Sequence, residues 1–115
     1  MKVLEIKKNI ETILDSNKAT NITSIDLKNQ SYIADYMIIA SGTSSRHLQA
    51  LSEILLIELK KIGLGECRIE GRESNEWKLV DAHDIIIHIF HPSKREFYDL
   101  ETMWSEEIPK EKAMI

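Results

Sequence analysis

A glycine followed by three hydroxyl residues is the part of this sequence most suggestive of chemistry. Gly42-Thr43-Ser44-Ser45 comes directly after an apolar run over residues 36–41 and before a segment with helical periodicity. A helix N-terminus in this position has free backbone N–H groups and a positive dipole end, which together favour an anion such as phosphate. The same residues also suit an ordinary N-cap, with Thr43 or Ser44 accepting a hydrogen bond from the helix backbone. We favour the N-cap.

The turn also resembles the start of a nucleotidyltransferase active site. Such an enzyme needs a pair of carboxylates on a nearby strand to hold the metal that bridges the triphosphate. Asp81 and Asp84 are the closest candidates, but they lie at opposite ends of a predicted turn. The Gly-Lys-Ser/Thr signature of a P-loop does not follow the strand either. A nucleotide-binding or nucleotidyl-transferring enzyme using residues 42–45 is therefore the alternative hypothesis, and we expect no catalysis.

Three histidines and the single cysteine are the candidate metal ligands. His88 and His91 are three residues apart at the end of a predicted strand, so their side chains should point in different directions. A structural role is the better interpretation for them and for His47. Cys67 alternates with Ile69 toward the core and is predicted to be inert packing. We predict neither a metal ion nor a cofactor.

Composition limits the class of protein and of partner. The chain has 115 residues, of which 43% are hydrophobic and 30% charged, as expected for one globular domain. A lone cysteine excludes an internal disulfide, and an acid at Glu5 inside the first apolar segment argues against a targeting peptide, so we expect a cytoplasmic protein. With 15 basic against 19 acidic residues, a basic protein surface is a better partner than nucleic acid. No apolar run approaches the roughly 18 residues of a membrane span.

Periodicity predicts eight elements in the order α-β-β-α-β-β-β-α. They comprise a helix over 3–16, strands over 21–27 and 36–41, a helix over 44–62, strands over 66–70, 77–81 and 85–90, and a helix that starts at Pro92. The fold class is α/β (α+β): a single domain with a mixed five-stranded sheet flanked by helices. We expect the domain to span residues 1–105 and residues 106–115 to form a flexible tail.

Aromatic residues beside charges suggest an interface in the second half of the chain. Trp77 lies between Glu76 and Lys78, and Tyr98 and Asp99 lie on the last predicted helix, away from its apolar stripe. Exposed aromatic anchors of this kind are typical of protein–protein interfaces. The residues alone leave a second interpretation open, in which the two tryptophans only cover the edges of the core.

Taken in order, the motifs resemble those of the ribosomal silencing factor (Iojap-like) family. The resemblance covers about residues 3–105 and rests on four groups of residues. These are Ala34-Asp35-Tyr36 leading to Gly42–His47, Glu70-Gly71 followed by Trp77, Asp84 with His88–Pro92, and Arg95–Glu101 continuing to Trp104.

The resemblance implies a nucleotidyltransferase-like fold without the catalytic carboxylates, and a role in binding rather than catalysis. Family members bind the large ribosomal subunit through a basic ribosomal protein, the fourteenth of that subunit, on the intersubunit face. They block joining of the small subunit and lower translation when nutrients are scarce, while organelle relatives act in large-subunit assembly. Which of these two roles applies, and whether the free protein forms a homodimer, is left open. The contacts we predict are Trp77, Tyr98 and Asp99, with a charged rim of Glu70, Lys78 and Glu101.

Overall fold

The computed structural model describes residues 2–29 and 34–93, which form two helices and five strands. Their bounds are α1 Val3–Ser16, β1 Thr20–Asp26, β2 Tyr36–Ser41, α2 Ser45–Lys61, β3 Arg68–Glu70, β4 Trp77–Ala82 and β5 Ile85–Phe90. Each bound lies within two residues of the one predicted from periodicity, and the order of these seven elements is confirmed. The predicted last helix beyond Ser93 and the tail over residues 106–115 lie outside the described residues.

The five strands form one mixed sheet in the order β1-β2-β5-β4-β3. β2 and β5 are parallel neighbours at its centre, and the remaining pairs are antiparallel. A parallel pair needs a long connection, and here it contains α2 and the β3–β4 hairpin. The predicted sheet is confirmed.

Both described helices pack on one face of the sheet, which we call the helix face. Ile6, Ile10 and Leu14 of α1 recur at helical spacing and are buried there. The apolar stripe of α2 packs in the same core, together with every second residue of the central strands. The leucines of this α2 stripe are Leu48, Leu51, Leu55 and Leu59. Burying each such side chain contributes about 1.5–3 kcal/mol. The helical periodicity of the sequence is thus explained by one shared core.

The opposite side of the sheet, which we call the second face, carries a separate apolar cluster. Met37 and Ile39 of β2 are buried in it with Phe90 of β5, and Trp77 of β4 packs against it. β2 and β5 are therefore buried on both faces, as their largely apolar sequences predicted. Neither described helix has the length and apolar character needed to cross a bilayer.

Candidate functional site

The turn at residues 42–45 begins α2 as an N-cap. The Oγ of Ser44 accepts a hydrogen bond from the backbone N–H of His47 at 3.1 Å. The N–H of Thr43 donates to Nδ1 of the His47 ring at 2.9 Å, and that of Gly42 donates to the carbonyl of Phe90 at 3.0 Å. Three N–H groups that an anion could have used are therefore already bonded within the protein. The predicted cap is confirmed, with Ser44 as the capping residue.

His47 ties the start of α2 to the end of α1. Its Nε2 lies 2.8 Å from the carbonyl oxygen of Asn17, the residue that caps the C-terminus of α1. A backbone N–H can only donate, so Nδ1 accepts from Thr43 and Nε2–H must be the donor to Asn17. Nε2 thus joins the two helices and Nδ1 stabilises the turn that begins α2, so both ring nitrogens have a structural role.

Asp81 and Asp84 lie at the wrong end of β2 to serve a site at Gly42. The carbonyl of Asp84 accepts hydrogen bonds from the backbone N–H groups of Asp35 and Tyr36, at the N-terminal end of β2. Gly42 follows the C-terminal end of that six-residue strand, roughly 20 Å away at the usual strand rise. The Asp81 carboxylate instead accepts the N–H of His83 within its own turn. The geometry that a metal-dependent transferase requires is not formed by these two carboxylates.

The remaining candidate ligands each have a separate environment. His88 is 4% exposed on the second face, where its ring stacks on Phe90 with 5.7 Å between centroids. Burial lowers the pKa of His88 to about 4. His91 interacts with Ser93 instead, at 2.9 Å between Nδ1 and Oγ. Across residues 2–29 and 34–93, no three His, Cys, Asp or Glu residues are arranged to hold a metal ion.

Cys67 is a packing residue, as predicted. It is partly buried and contacts the helix-face core together with Ile69. Burial, with a smaller contribution from the Asp81 carboxylate, raises the pKa of the Cys67 thiol. A raised pKa disfavours the thiolate, which is the reactive form, so the environment opposes a nucleophilic role.

Trp77 is partly buried and is held by the loop that precedes it. We call residues 71–76 the β3–β4 loop. The Oγ of Ser74 accepts the backbone N–H groups of Glu76 and Trp77, at 3.1 and 3.2 Å. The carbonyl of Glu76 accepts the N–H of His91 at 2.8 Å, which fastens the loop to the end of β5. The indole therefore has a defined position at the edge of the second face, with part of its surface accessible.

Glu70 shares the second face with Trp77. Glu70 is exposed on the edge strand β3 and is paired with Leu79, which lies two residues beyond Trp77 on β4. Paired residues, and residues two apart on one strand, point to the same side of a sheet. The structure thus brings one predicted rim residue and one predicted anchor to one surface.

Lys78 does not belong to that surface, so its prediction as an exposed rim residue is wrong. Successive side chains of a strand point to opposite faces, and Lys78 lies on the helix-face side of β4 with Val80 and Ala82. It is only 2% exposed. Its Nζ donates to the backbone carbonyls of Gly71, Arg72 and Ser74. The period-two pattern of β4 could have shown that Trp77 and Lys78 face opposite ways. The sequence alone did not reveal that the Lys78 ammonium binds the carbonyls of the β3–β4 loop.

The other three predicted contacts, Tyr98, Asp99 and Glu101, lie outside the described residues, as does Trp104. They remain predictions.

Comparison with known proteins agrees with the resemblance in the sequence. The family model described as "Ribosomal silencing factor during starvation" matches residues 2–114. A Zymomonas mobilis protein named ribosomal silencing factor RsfS is 47% identical over 91 residues, covering 79% of this chain and 68% of that protein. A crystal structure of a Chromobacterium violaceum protein superposes with a TM-score of 0.87 at 34% identity, covering 95% of this chain and 91% of the other.

A more distant relative comes from an organelle. The mouse protein named "Mitochondrial assembly of ribosomal large subunit protein 1" is 34% identical over 100 residues, which cover 82% of this chain but only 42% of the mouse protein. With a family match that spans almost the whole sequence and a solved structure of the same fold, this chain belongs to the ribosomal silencing factor family.

Proposed function

We propose that this protein binds the large ribosomal subunit in the cytoplasm and sterically blocks joining of the small subunit, without catalysing a reaction. The contact we propose is a basic ribosomal protein on the intersubunit face, the fourteenth of the large subunit. The observation that carries the proposal is the surface formed by Trp77 and Glu70. It pairs an aromatic side chain held in place by the protein with an exposed carboxylate. Such pre-organised aromatic residues are the usual energetic centres of interfaces.

Charge and size support the same mechanism. The formal charge of −4 favours encounter with a basic protein surface. The described part of the protein measures 35 × 34 × 22 Å along its principal axes. An object of this size on the intersubunit face is incompatible with close docking of the small subunit. Inhibition by exclusion requires the protein to stay bound and requires no catalytic site. This fits the position of Asp81 and Asp84, which lie too far from the turn at Gly42 to form a catalytic site with it.

The proposed contacts are Trp77, Tyr98 and Asp99, with Glu70 and Glu101 at the rim. The aromatic side chains would fill apolar hollows in the ribosomal protein, and Asp99 would pair with an arginine or lysine. Lys78 is not among the contacts because its side chain is buried.

Co-sedimentation with separated ribosomal subunits tests the function. We expect the protein to pellet with large subunits only and to inhibit formation of joined ribosomes in proportion to occupancy. Trp77→Ala and Tyr98→Ala should each weaken binding by about 30-fold, which corresponds to the roughly 2 kcal/mol of an interface hot spot. Ile57→Ala is the matched control, since Ile57 is a 56% exposed apolar residue on α2. If both aromatic variants are folded and bind as tightly as wild type, the proposed surface is wrong.

A role in large-subunit assembly is the second candidate, favoured by the name of the mouse relative. The two roles differ in what accumulates when the protein is absent. Assembly predicts incomplete large subunits during growth, whereas silencing predicts mature subunits that continue to join into ribosomes when nutrients are withdrawn. The enzyme hypothesis predicts heat release when ATP or CTP is titrated with Mg²⁺, and we expect none.

A further inference from the structure

We propose that Lys78 is a positioning residue for ribosome binding: its ammonium group holds the β3–β4 loop in the shape that presents Trp77. This proposal rests on the function proposed above, and it assigns Lys78 an internal role in place of the contact expected from its sequence position.

The Lys78 ammonium is fully used inside the protein. Its Nζ lies 2.9 Å from the carbonyl oxygen of Gly71, 2.6 Å from that of Arg72 and 2.7 Å from that of Ser74. A neutral amine has two N–H donors, so only the charged form with three donors satisfies all three acceptors. Burial and the nearby Arg72 guanidinium lower the pKa of the Lys78 ammonium, while the Glu53 carboxylate acts in the opposite direction. No carboxylate among the described residues lies within ion-pair distance of Nζ. The loop carbonyls therefore provide the polar surroundings that a buried cation needs.

The loop depends on the cation in turn. Three carbonyl oxygens that converge on one point repel one another unless a positive group lies between them. The Gly71 carbonyl also accepts the N–H of Ser74 at 3.0 Å, which closes the turn around the ammonium. Without the Lys78 ammonium, the carbonyls of Arg72 and Ser74 would lose this donor and that of Gly71 would keep only the N–H of Ser74, so the loop would gain by opening to water.

Two of the three residues that Lys78 holds also contact Trp77. Gly71 lies against the indole ring, and the Ser74 Oγ accepts the Trp77 backbone N–H. Because neighbouring residues on β4 face opposite ways, Lys78 acts from the helix-face side while Trp77 occupies the second face. The lysine is thus placed to set the position of the anchor without taking part in the interface.

The test compares Lys78→Met with Lys60→Met, since Lys60 is exposed on α2 and both changes remove one positive charge. Loss of a positive charge should by itself strengthen binding to a basic partner, so weaker binding cannot be a simple charge effect. We expect Lys78→Met to bind large subunits at least about tenfold more weakly. Hydrogen exchange at the amides of residues 74–77 should accelerate, and the Trp77 indole NMR signal should shift. Lys60→Met should match wild type in all three measurements.

Ser74→Ala provides a milder variant, because it removes the hydroxyl that holds the Trp77 N–H and leaves Lys78 intact. It should produce the same changes to a smaller extent, even if Lys78→Met does not fold. The proposal is overturned if a folded Lys78→Met protein binds as tightly as wild type while Trp77→Ala does not. It is also overturned if Ser74→Ala changes neither loop exchange nor binding. Tight binding by Trp77→Ala would instead show that the docking surface itself is wrong, and both proposals would fail.

Discussion

The indole of Trp77 lies directly against the backbone of Gly71. A Cβ atom built at Gly71 would lie 2.7 Å from Cζ3 and 2.9 Å from Cε3 of the Trp77 ring, which is closer than non-bonded carbon atoms approach each other in proteins. Gly71 also has a φ of +75°, which residues with a side chain rarely adopt. The turn and the aromatic residue therefore form one unit, in which glycine is needed for two separate reasons.

Gly71→Ala should displace the Trp77 ring and reduce ribosome binding. We expect at least about a tenfold loss of affinity for large subunits, comparable to losing part of an interface hot spot. The left-handed backbone should add a loss of about 1–2 kcal/mol in the free energy of unfolding. Co-sedimentation measures the loss of affinity, the chemical shift of the Trp77 indole N–H reports the displacement of the ring, and denaturant unfolding measures the loss of stability.

Gly63→Ala is the matched control for Gly71→Ala. Gly63 has a φ of +85°, but nothing lies within 4 Å of the position that a Cβ atom would occupy there. It should lose a similar amount of stability and keep full affinity for the ribosome. Equal binding by the two alanine variants would contradict a role for the Gly71–Trp77 contact.

His88 should make the stability of the protein depend on pH in the acid range. Burial lowers its pKa in the folded protein to about 4, from 6.5 in the unfolded chain. Between these values the unfolded chain binds a proton that the folded protein does not, so the free energy of unfolding falls as the pH is lowered through this window. The full loss is about 3 kcal/mol, and no change from this group is expected above pH 6.5.

Urea unfolding at a series of pH values measures this effect. His88→Phe should flatten the acid limb, whereas His83→Asn, at an exposed turn position with a φ of 66°, should retain it. His88→Phe should also be well tolerated at neutral pH, because the Nε2 of His88 has no hydrogen-bond partner among the described residues. An unchanged pH profile in His88→Phe would show that other groups cause the acid sensitivity.

Ser44→Ala should destabilise the protein by about 1 kcal/mol through loss of the α2 N-cap. Denaturant unfolding measures the change, and Arg46→Ala is the control because Arg46 is an exposed residue in the first turn of the same helix. We expect the control to lie within about 0.5 kcal/mol of wild type. Ribosome binding should be unaffected by Ser44→Ala. A specific loss of affinity would mean that the turn has a role in recognition as well.

Cys67 should react slowly with alkylating reagents in the folded protein. Its thiol is partly buried, and burial raises its pKa, so less thiolate is present at a given pH. Because the chain has a single cysteine, mass spectrometry of iodoacetamide labelling reports on this residue alone. The rate should increase several-fold in concentrated urea, after correction for the effect of urea on a free thiol. Equal corrected rates would contradict the packing role.

Local features were predictable from the sequence because neighbouring residues determine them. The spacing of Ile6, Ile10 and Leu14 predicts the buried stripe of α1 without reference to the rest of the chain. The cap at Ser44 depends only on residues within one helical turn. The apolar runs of β2 and β5 likewise predict strands buried on both faces. The family was also recognisable, because its motifs are short and occur in a specific order.

The surroundings of Trp77 and Lys78 could not be obtained in the same way. From the sequence, Trp77 could be either an interface residue or a residue that covers the edge of the core. The structure shows that its ring packs on Gly71 and keeps part of its surface accessible. Alternation along β4 could have placed Lys78 opposite Trp77. It could not have shown that three carbonyls return to meet the ammonium, since that depends on the path of the β3–β4 loop.

By itself, the sequence determined the seven described elements, their order, the mixed sheet and the family, because periodicity, caps and short motifs are properties of neighbouring residues. Only the tertiary structure decided which end of β2 receives Asp84, and therefore that its carboxylate lies far from the turn at Gly42. Only the tertiary structure decided that three loop carbonyls meet the Lys78 ammonium and that Trp77 and Glu70 share a surface. Strand pairing and loop closure bring together residues from separate segments, and a linear pattern does not specify the distances that result.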